Sequence, residues 1–198
     1  MRSLTALILG IAGAGGAGAA AGHPAPSTGA AMTRADTSPH PDVPRTVAHV
    51  DIQRYMGTWY EIANYPNTFQ RGCTGTTATY ALRPDGQVSV TNRCRKDSLS
   101  GPESVARARA RVVDSTTNAK LEVQFFWPFW GKYWVIELDS EYRWAVVGHP
   151  ARKYLWVLSR TPEMDPKLYA SIVQRIAAQG YDTTRIVRTL QPRAAAGP

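Results

Sequence analysis

The chain has 198 residues, a length for one ordinary domain, and carries 23 Lys+Arg against 15 Asp+Glu, a net charge of +8. Hydrophobic residues make up 43% and the mean hydropathy is −0.29, which excludes an integral helical membrane bundle; two cysteines are too few for a disulfide-dense small fold or an all-cysteine zinc site. The basic balance leaves three partner classes open: nucleic acid, an anionic membrane surface, or acidic small molecules.

Met1 and Arg2, the apolar stretch from Leu4 to Ile11 and the small residues Ala19, Ala20 and Ala21 read as a secretory signal peptide over residues 1–21. The stretch is too short and too broken by Gly for a spanning helix, and no Lys-Ser/Thr follows it as a phosphate loop requires. Residues 22–46 are Pro, Ser, Thr and Ala with scattered charges, a composition expected to form a flexible leader, and residues 192–198 read as a tail of the same kind. The folded domain is therefore expected over residues 47–191. Export places it in an oxidising compartment, periplasmic or secreted, where a disulfide is favoured over two free thiols.

Short strands separated by turn signals follow. The first covers residues 58–64, the second 73–82 and the third 87–94, the last two joined by Arg83-Pro84-Asp85-Gly86, where Pro presets φ and Gly accepts φ > 0. The fourth, residues 105–113, alternates Ala106, Ala108 and Ala110 with Arg107, Arg109 and Arg111, so one face is small and apolar and the other a solvated arginine ladder. The fifth, residues 120–126, alternates Leu121, Val123 and Phe125 with Lys120, Glu122 and Gln124. The sixth, seventh and eighth, residues 132–138, 142–147 and 154–160, are rich in aromatic and β-branched residues. One helix then starts at an Asp165 cap with Pro166 in the first turn, carries Leu168, Ile172, Val173 and Ile176 as an apolar stripe, and stops at Gly180. Ile186, Val187 and Leu190 indicate a last short strand. Strands joined in series by short turns give an all-β fold, an eight-stranded antiparallel up-and-down β-barrel with one C-terminal α-helix packed outside, and such a barrel is wide enough for one small ligand.

At these residues the sequence resembles a lipocalin. Gly57-Thr58-Trp59-Tyr60 is similar to the Gly-x-Trp motif that opens the first strand of that family, Asp139 with residues 142–147 to its second conserved region (without an intact Thr-Asp-Tyr triplet), and Leu158-Ser159-Arg160 to its third. The runs GTWYEIANYP and YLWVLSRTP resemble the bacterial outer-membrane lipocalins, from which the sequence departs in having no cysteine before Cys73. The resemblance implies that Arg160 packs across Trp59 and closes the barrel floor beside Gly57. The physics agrees, because a Trp face under a guanidinium makes a rigid plug with an attraction of about 0.5–2 kcal/mol. It also implies a carrier of fatty acids or lysophospholipids in envelope lipid transport or maintenance, peripheral to the outer membrane rather than anchored through a lipoprotein cysteine.

Alternation assigns the lining. With Trp59 inward, Glu61 and Ala63 share its side; Ala78 and Tyr80, then Val88, Val90 and Asn92, then Ala106, Ala108, Ala110 and Val112, then Leu121, Val123 and Phe125, face in on the following strands. Tyr154, Trp156 and Leu158 share the side of Arg160. The sixth strand is ambiguous by pattern; resemblance to retinol-carrying lipocalins places Tyr133 and Val135 inward, and likewise Ala145 and Val147 on the seventh. Small residues opposite aromatics leave room for an elongated hydrophobe, whose burial contributes about 0.8 kcal/mol per methylene.

Cys73 begins the second strand and Cys94 ends the third, so a hairpin turned at Pro84-Asp85 sets them nearly opposite each other for a disulfide at the open end. Near that mouth fall Arg71, Arg93, Arg95, Lys96, Lys132, Arg152 and Lys153, against Asp97 and Glu103, with Trp127, Phe129 and Trp130 on one loop. Exposed aromatics beside cations suit a lipid headgroup region; the same residues folded inward would form a lid, and both arrangements stay open. The sequence has no HExxH, no GxSxG and no histidine at metal-ligand spacing, so neither a metal nor a cofactor is expected. A lipid isomerase on the same barrel is the enzymatic alternative. Nucleic acid would need aromatics interleaved with arginine on one outer face, whereas the ladder alternates with alanine.

Overall fold

The computed structural model describes residues 41–193. A four-residue helix, α1 (Ile52–Tyr55), precedes β1 (Gly57–Asn64), β2 (Cys73–Leu82), β3 (Val88–Lys96), β4 (Glu103–Val112), β5 (Lys120–Phe126), β6 (Phe129–Leu138), β7 (Trp144–Gly148) and β8 (Leu155–Ser159); helix α2 (Pro166–Ala178) and the short β9 (Val187–Arg188) follow. Neighbouring strands pair antiparallel in the order β2-β3-β4-β5-β6-β7-β8-β1, and β1 returns to β2, with Trp59 opposite Ala78. The sheet therefore closes on itself, which removes the unpaired edges that an open sheet exposes.

Two apolar clusters divide the side chains. Inside the barrel lie Trp59, Tyr80, Val88, Val90, Ala110, Leu121, Val135, Ala145, Val147 and Leu158. Outside it, Trp134, Ile136, Trp144, Val146, Leu155 and Val157 meet α2, whose Ile172 and Ile176 are fully buried. The ambiguous sixth strand thus turns Tyr133 and Val135 inward. Helix α2 begins as its cap requires: the Asp165 carboxylate accepts the Leu168 N–H at 2.9 Å, and Pro166 takes the first position, where no N–H is needed.

Strand β1 breaks the simple alternation. A register shift between Glu61 and Ala63 places Ile62 and Ala63 together in the cluster under the helix, so Ala63 does not line the lumen. Beyond the shift β1 parts from β2, and the chain end fills the gap: β9 pairs with Ala63 and Asn64, Thr189 N–H donates to Ile62 O, and Gly75 N–H donates to Leu190 O. The domain also begins earlier than the composition indicates. Residues 41–46 lie on the barrel: Arg152 donates to the Pro41 and Asp42 carbonyls, Arg45 N–H donates to Gln179, and Pro44 is buried. The expected signal peptide, residues 22–40 of the expected leader and residues 194–198 of the expected tail lie outside the described residues.

The floor is built around Trp59, which is fully buried. Arg160 lies over its ring at 3.7 Å and donates to Thr58 O at 3.0 Å, Arg54 O at 2.8 Å and Tyr142 O at 3.3 Å. The left-handed φ of +92° at Gly57 brings the backbone under the guanidinium; a Cβ there would sit 3.3 Å from Arg160 Nη1. Arg160→Lys keeps the charge but loses the planar fork, so the urea midpoint should fall by the equivalent of about 2 kcal/mol, with a change in the near-ultraviolet signal of Trp59.

Candidate ligand-binding site

The inner wall grades from buried to exposed. On β4, Ala110 is buried, Ala108 half-buried and Ala106 exposed; on β5, Leu121 is buried, Val123 half-buried and Phe125 38% exposed. Val135 and Tyr133 on β6, and Leu158 and Trp156 on β8, follow the same order. The barrel is thus an apolar cup, closed at the Trp59 end and open at the other. Ala78, Tyr80, Val88, Val90, Ala108, Leu121, Val123, Tyr133, Val135 and Trp156 all belong to its inner cluster, Tyr154 stacks on Trp156 with centroids 5.8 Å apart, and Asn92 faces the same lumen opposite Ala78. Phe125 stands at the rim rather than in the lining, because alternation gives its direction but the wall opposite has ended.

Three phenols meet at mid-height. Tyr133 Oη lies 3.0 Å from Tyr80 Oη and 2.9 Å from Tyr55 Oη, and burial raises the pKa of all three, that of Tyr80 to about 12. Beneath them an apolar cavity of about 10 Å³, bounded by Val50, Met56, Val88, Ala110, Leu121 and Val135 among others, has room for one water.

At the mouth, the loop after β1 is latched to the wall through Gln70. Its Oε1 accepts from Trp156 Nε1 at 2.9 Å, and its Nε2 donates to Glu61 Oε2 at 2.6 Å. An indole N–H only donates, so Trp156 fixes the orientation of the Gln70 amide and obliges Glu61 to accept. Asn64 and Thr189 donate to the other oxygen of Glu61, each at 2.6 Å. Burial nonetheless pushes the Glu61 carboxyl above its ordinary value of 4.5, outweighing those hydrogen bonds. Phe69, on the same loop, packs edge-on to Tyr154 at 5.6 Å.

Cys73 and Cys94 form a disulfide at this end, with a Cα–Cα distance of 5.4 Å. On the rim, Phe126, Trp127 and Phe129 are 77%, 82% and 76% exposed, standing out rather than folding over the mouth. Trp130 differs from its neighbours. It lies half-buried on the outer wall with Arg111 over its ring at 4.2 Å and Arg109 at 5.5 Å, because the pairing of β5 with β6 shifts between Val123 and Phe126. The arginine ladder is paired there too: Arg109 donates to Gln124 at 2.7 Å, and Arg111 and Lys132 both bind Glu122, holding its carboxyl below its ordinary value. Arg95 is exposed at the mouth, its guanidinium 3.4 Å from Gly101 O, while Lys96 is half-buried and donates to Arg71 O at 2.9 Å.

A family model described as "Lipocalin-like domain" matches residues 50–191. The chain belongs to the lipocalin family. The Outer membrane lipoprotein Blc of Escherichia coli (strain K12) is 40% identical over 171 residues, which are 85% of this chain and 95% of that one. Temperature-induced lipocalin-1 of Arabidopsis thaliana is 36% identical over 153 residues, 73% of this chain and 81% of that one. Insecticyanin from the tobacco hornworm Manduca sexta superposes with a TM-score of 0.59 at 20% identity, covering 79% of this chain and 87% of that structure. In this lipocalin the second conserved region is the floor turn: Asp139 accepts from Arg143 Nε at 2.8 Å, and Tyr142 adopts a left-handed φ of +58°. Among the described residues no group of three His, Cys, Asp or Glu could hold a metal ion. Tyr55, Phe69 and Gln70 escaped sequence reasoning. The one available signal was the Asp51 cap three residues before Arg54, whose N–H it accepts at 3.2 Å.

Glu61 gives this lipocalin a pH dependence. Its folded pKa is raised, so its contribution to stability is fully present below the unfolded value and is lost as pH rises through the folded one. Glu61→Gln should abolish that step: the thermal midpoints of parent and variant, compared from about pH 4 to pH 8, should diverge with the parent falling, and parallel curves would remove Glu61 from the account.

Proposed function

We propose that this lipocalin is an exported carrier that holds one small amphiphile of the fatty-acid or lysophospholipid class in its cup and exchanges it at a lipid surface in envelope lipid transport. The observation that carries the reading is the graded wall, apolar from Val135 to Phe125 and open at one end only, which suits a chain that enters by the mouth and buries its methylenes. The 40% identity to a protein named an outer membrane lipoprotein supports the setting. The pairing of both cysteines with each other leaves no thiol for a thiol-dependent isomerase. Laurate and a lysophosphatidylcholine should each saturate at one per chain when titrated against tryptophan fluorescence, and organic extraction of the purified protein should release lipid; protein that yields no lipid and binds neither probe overturns the reading.

The rim supplies the exchange surface. Phe126, Trp127 and Phe129 project from the β5–β6 hairpin, and Arg71, Arg95, Lys96 and Lys153 lie on the other sides of the same mouth, whereas Lys132 and Arg93 are neutralised by Glu122 and Glu103. Such a surface fits an anionic leaflet, with aromatic rings at headgroup depth. Vesicles containing phosphatidylglycerol should retain the protein, neutral vesicles should retain about tenfold less, and Trp127→Ala with Phe129→Ala should abolish retention. Trp130→Ala, removed from the outer wall, should leave retention unchanged; equal sedimentation of all three proteins would end the idea.

A further inference from the structure

Tyr80 and Tyr133 reach each other from opposite walls. Their strands, β2 and β6, stand four places apart in the ring of eight, as far as two strands can, and yet their hydroxyl oxygens are 3.0 Å apart. Tyr55 rises from α1 below and adds its hydroxyl to that of Tyr133 at 2.9 Å. The three side chains form a polar crossbar over the floor cavity. Because burial raises all three pKa values, each phenol keeps its proton. Three hydroxyl hydrogens serve two hydrogen bonds, so one donor in the crossbar has no acceptor within the cluster.

A second polar group nearby is also unsatisfied. Asn92 sits opposite Ala78, the next inward pair towards the mouth from Tyr80 and Val90, about 7 Å along the strand. Its Oδ1 is buried and has no hydrogen-bond partner. A uniformly hydrocarbon guest would leave both the phenol donor and the amide acceptor unpaired in a dry site, at the cost that such groups carry when desolvated. A hydroxyl is both an acceptor and a donor. The residues packed around this stretch are hydrophobic, so an ionised group would be desolvated there.

We propose that the crossbar, with Asn92 above it, is a deep polar subsite that selects amphiphiles carrying an uncharged hydroxyl at the buried end of the chain, and that it sets the depth to which a guest descends. The inference rests on the carrier reading and adds the chemistry of the inner end to it. The guest's charged head stays at the mouth, its methylenes fill the cup, and its terminal oxygen accepts the free phenol hydrogen.

The test compares saturated fatty acids of ten to sixteen carbons with the same acids hydroxylated at the terminal carbon. In a purely hydrocarbon cup the added hydroxyl weakens binding by about tenfold or more. Here, at the chain length that reaches the crossbar, the hydroxy acid should bind at least as tightly as its parent. In Tyr80→Phe with Tyr133→Phe, which keeps both rings and leaves only the lowest phenol, the hydroxy acid should fall about tenfold behind while the plain acid is retained. A parent protein that disfavours the hydroxy acid about tenfold at every length overturns the proposal without any variant and leaves the carrier reading intact. So does a parent preference that the doubly substituted protein keeps unchanged. If the parent binds neither series, the carrier reading falls and the subsite with it.

Discussion

The stack of Arg160 on Trp59 is the constraint on which the other features depend. It draws together the beginning of β1, the end of β8, the short helix below and the turn between β6 and β7, through one ring contact at 3.7 Å and donations to Thr58, Arg54 and Tyr142. One guanidinium thus ties together three carbonyls from three separate segments of the chain. A closed end follows, and with it the possibility of a dry interior, because water has no path through the floor. The graded lining then has a definite bottom and a definite opening. Placement of Tyr55 depends on the same joint, since Trp59 Nε1 donates to the Tyr55 carbonyl at 2.9 Å and the two rings lie 4.9 Å apart.

The bulk charge of +8 resolves into distinct local roles. On the outer wall it is consumed in pairs, with Glu122 serving both Arg111 and Lys132 and with Trp130 lying beneath Arg111. On the flank, Arg152 holds residues 41 and 42 and the end of α2. At the mouth, exposed Arg71, Arg95 and Lys153 take part in no ion pair among the described residues. The surplus is therefore positional, and its free part coincides with the one opening of the barrel.

How much of this was legible in the sequence varies with the distance over which each signal acts. Period-2 alternation is local, and it placed Val88, Ala110, Leu121 and Leu158 inward without any knowledge of the closed sheet. The cap at Asp165 and the pairing of Cys73 with Cys94 were equally visible, because a turn and a hairpin bring their partners together. Irregularities hid the rest. A single shift in β1 turned Ala63 outward, and another at the β5–β6 hairpin put Trp130 on the wall. Alternation also cannot say where a wall stops, which left Phe125 at the rim. Glu61 looked like an unexplained buried acid because a main partner, Thr189, is 128 residues away. The phenol crossbar joins residues 53 and 78 positions apart, one of them on a four-residue helix too short to show any periodicity.

The last strand bears on how the molecule is assembled. The gap between the upper parts of β1 and β2 is filled by residues 187–191, including Gln191, whose amide donates at 2.8 Å to both Glu61 O and Thr76 O. A chain made from its N-terminus completes the hairpins from β2 to β7 while β1 still lacks its β8 neighbour and the seam lacks its filler. Closure must await the final residues of the domain, with contacts across 92–99 positions between β1 and β8 and 123–125 between β1 and β9, which form slowly. Until then β1 offers an unpaired edge, the element most prone to capture by another chain. The interval between synthesis of β1 and arrival of β9 is thus the vulnerable period in this barrel's life, and an extension or trimming at the C-terminal end acts on assembly before it acts on binding.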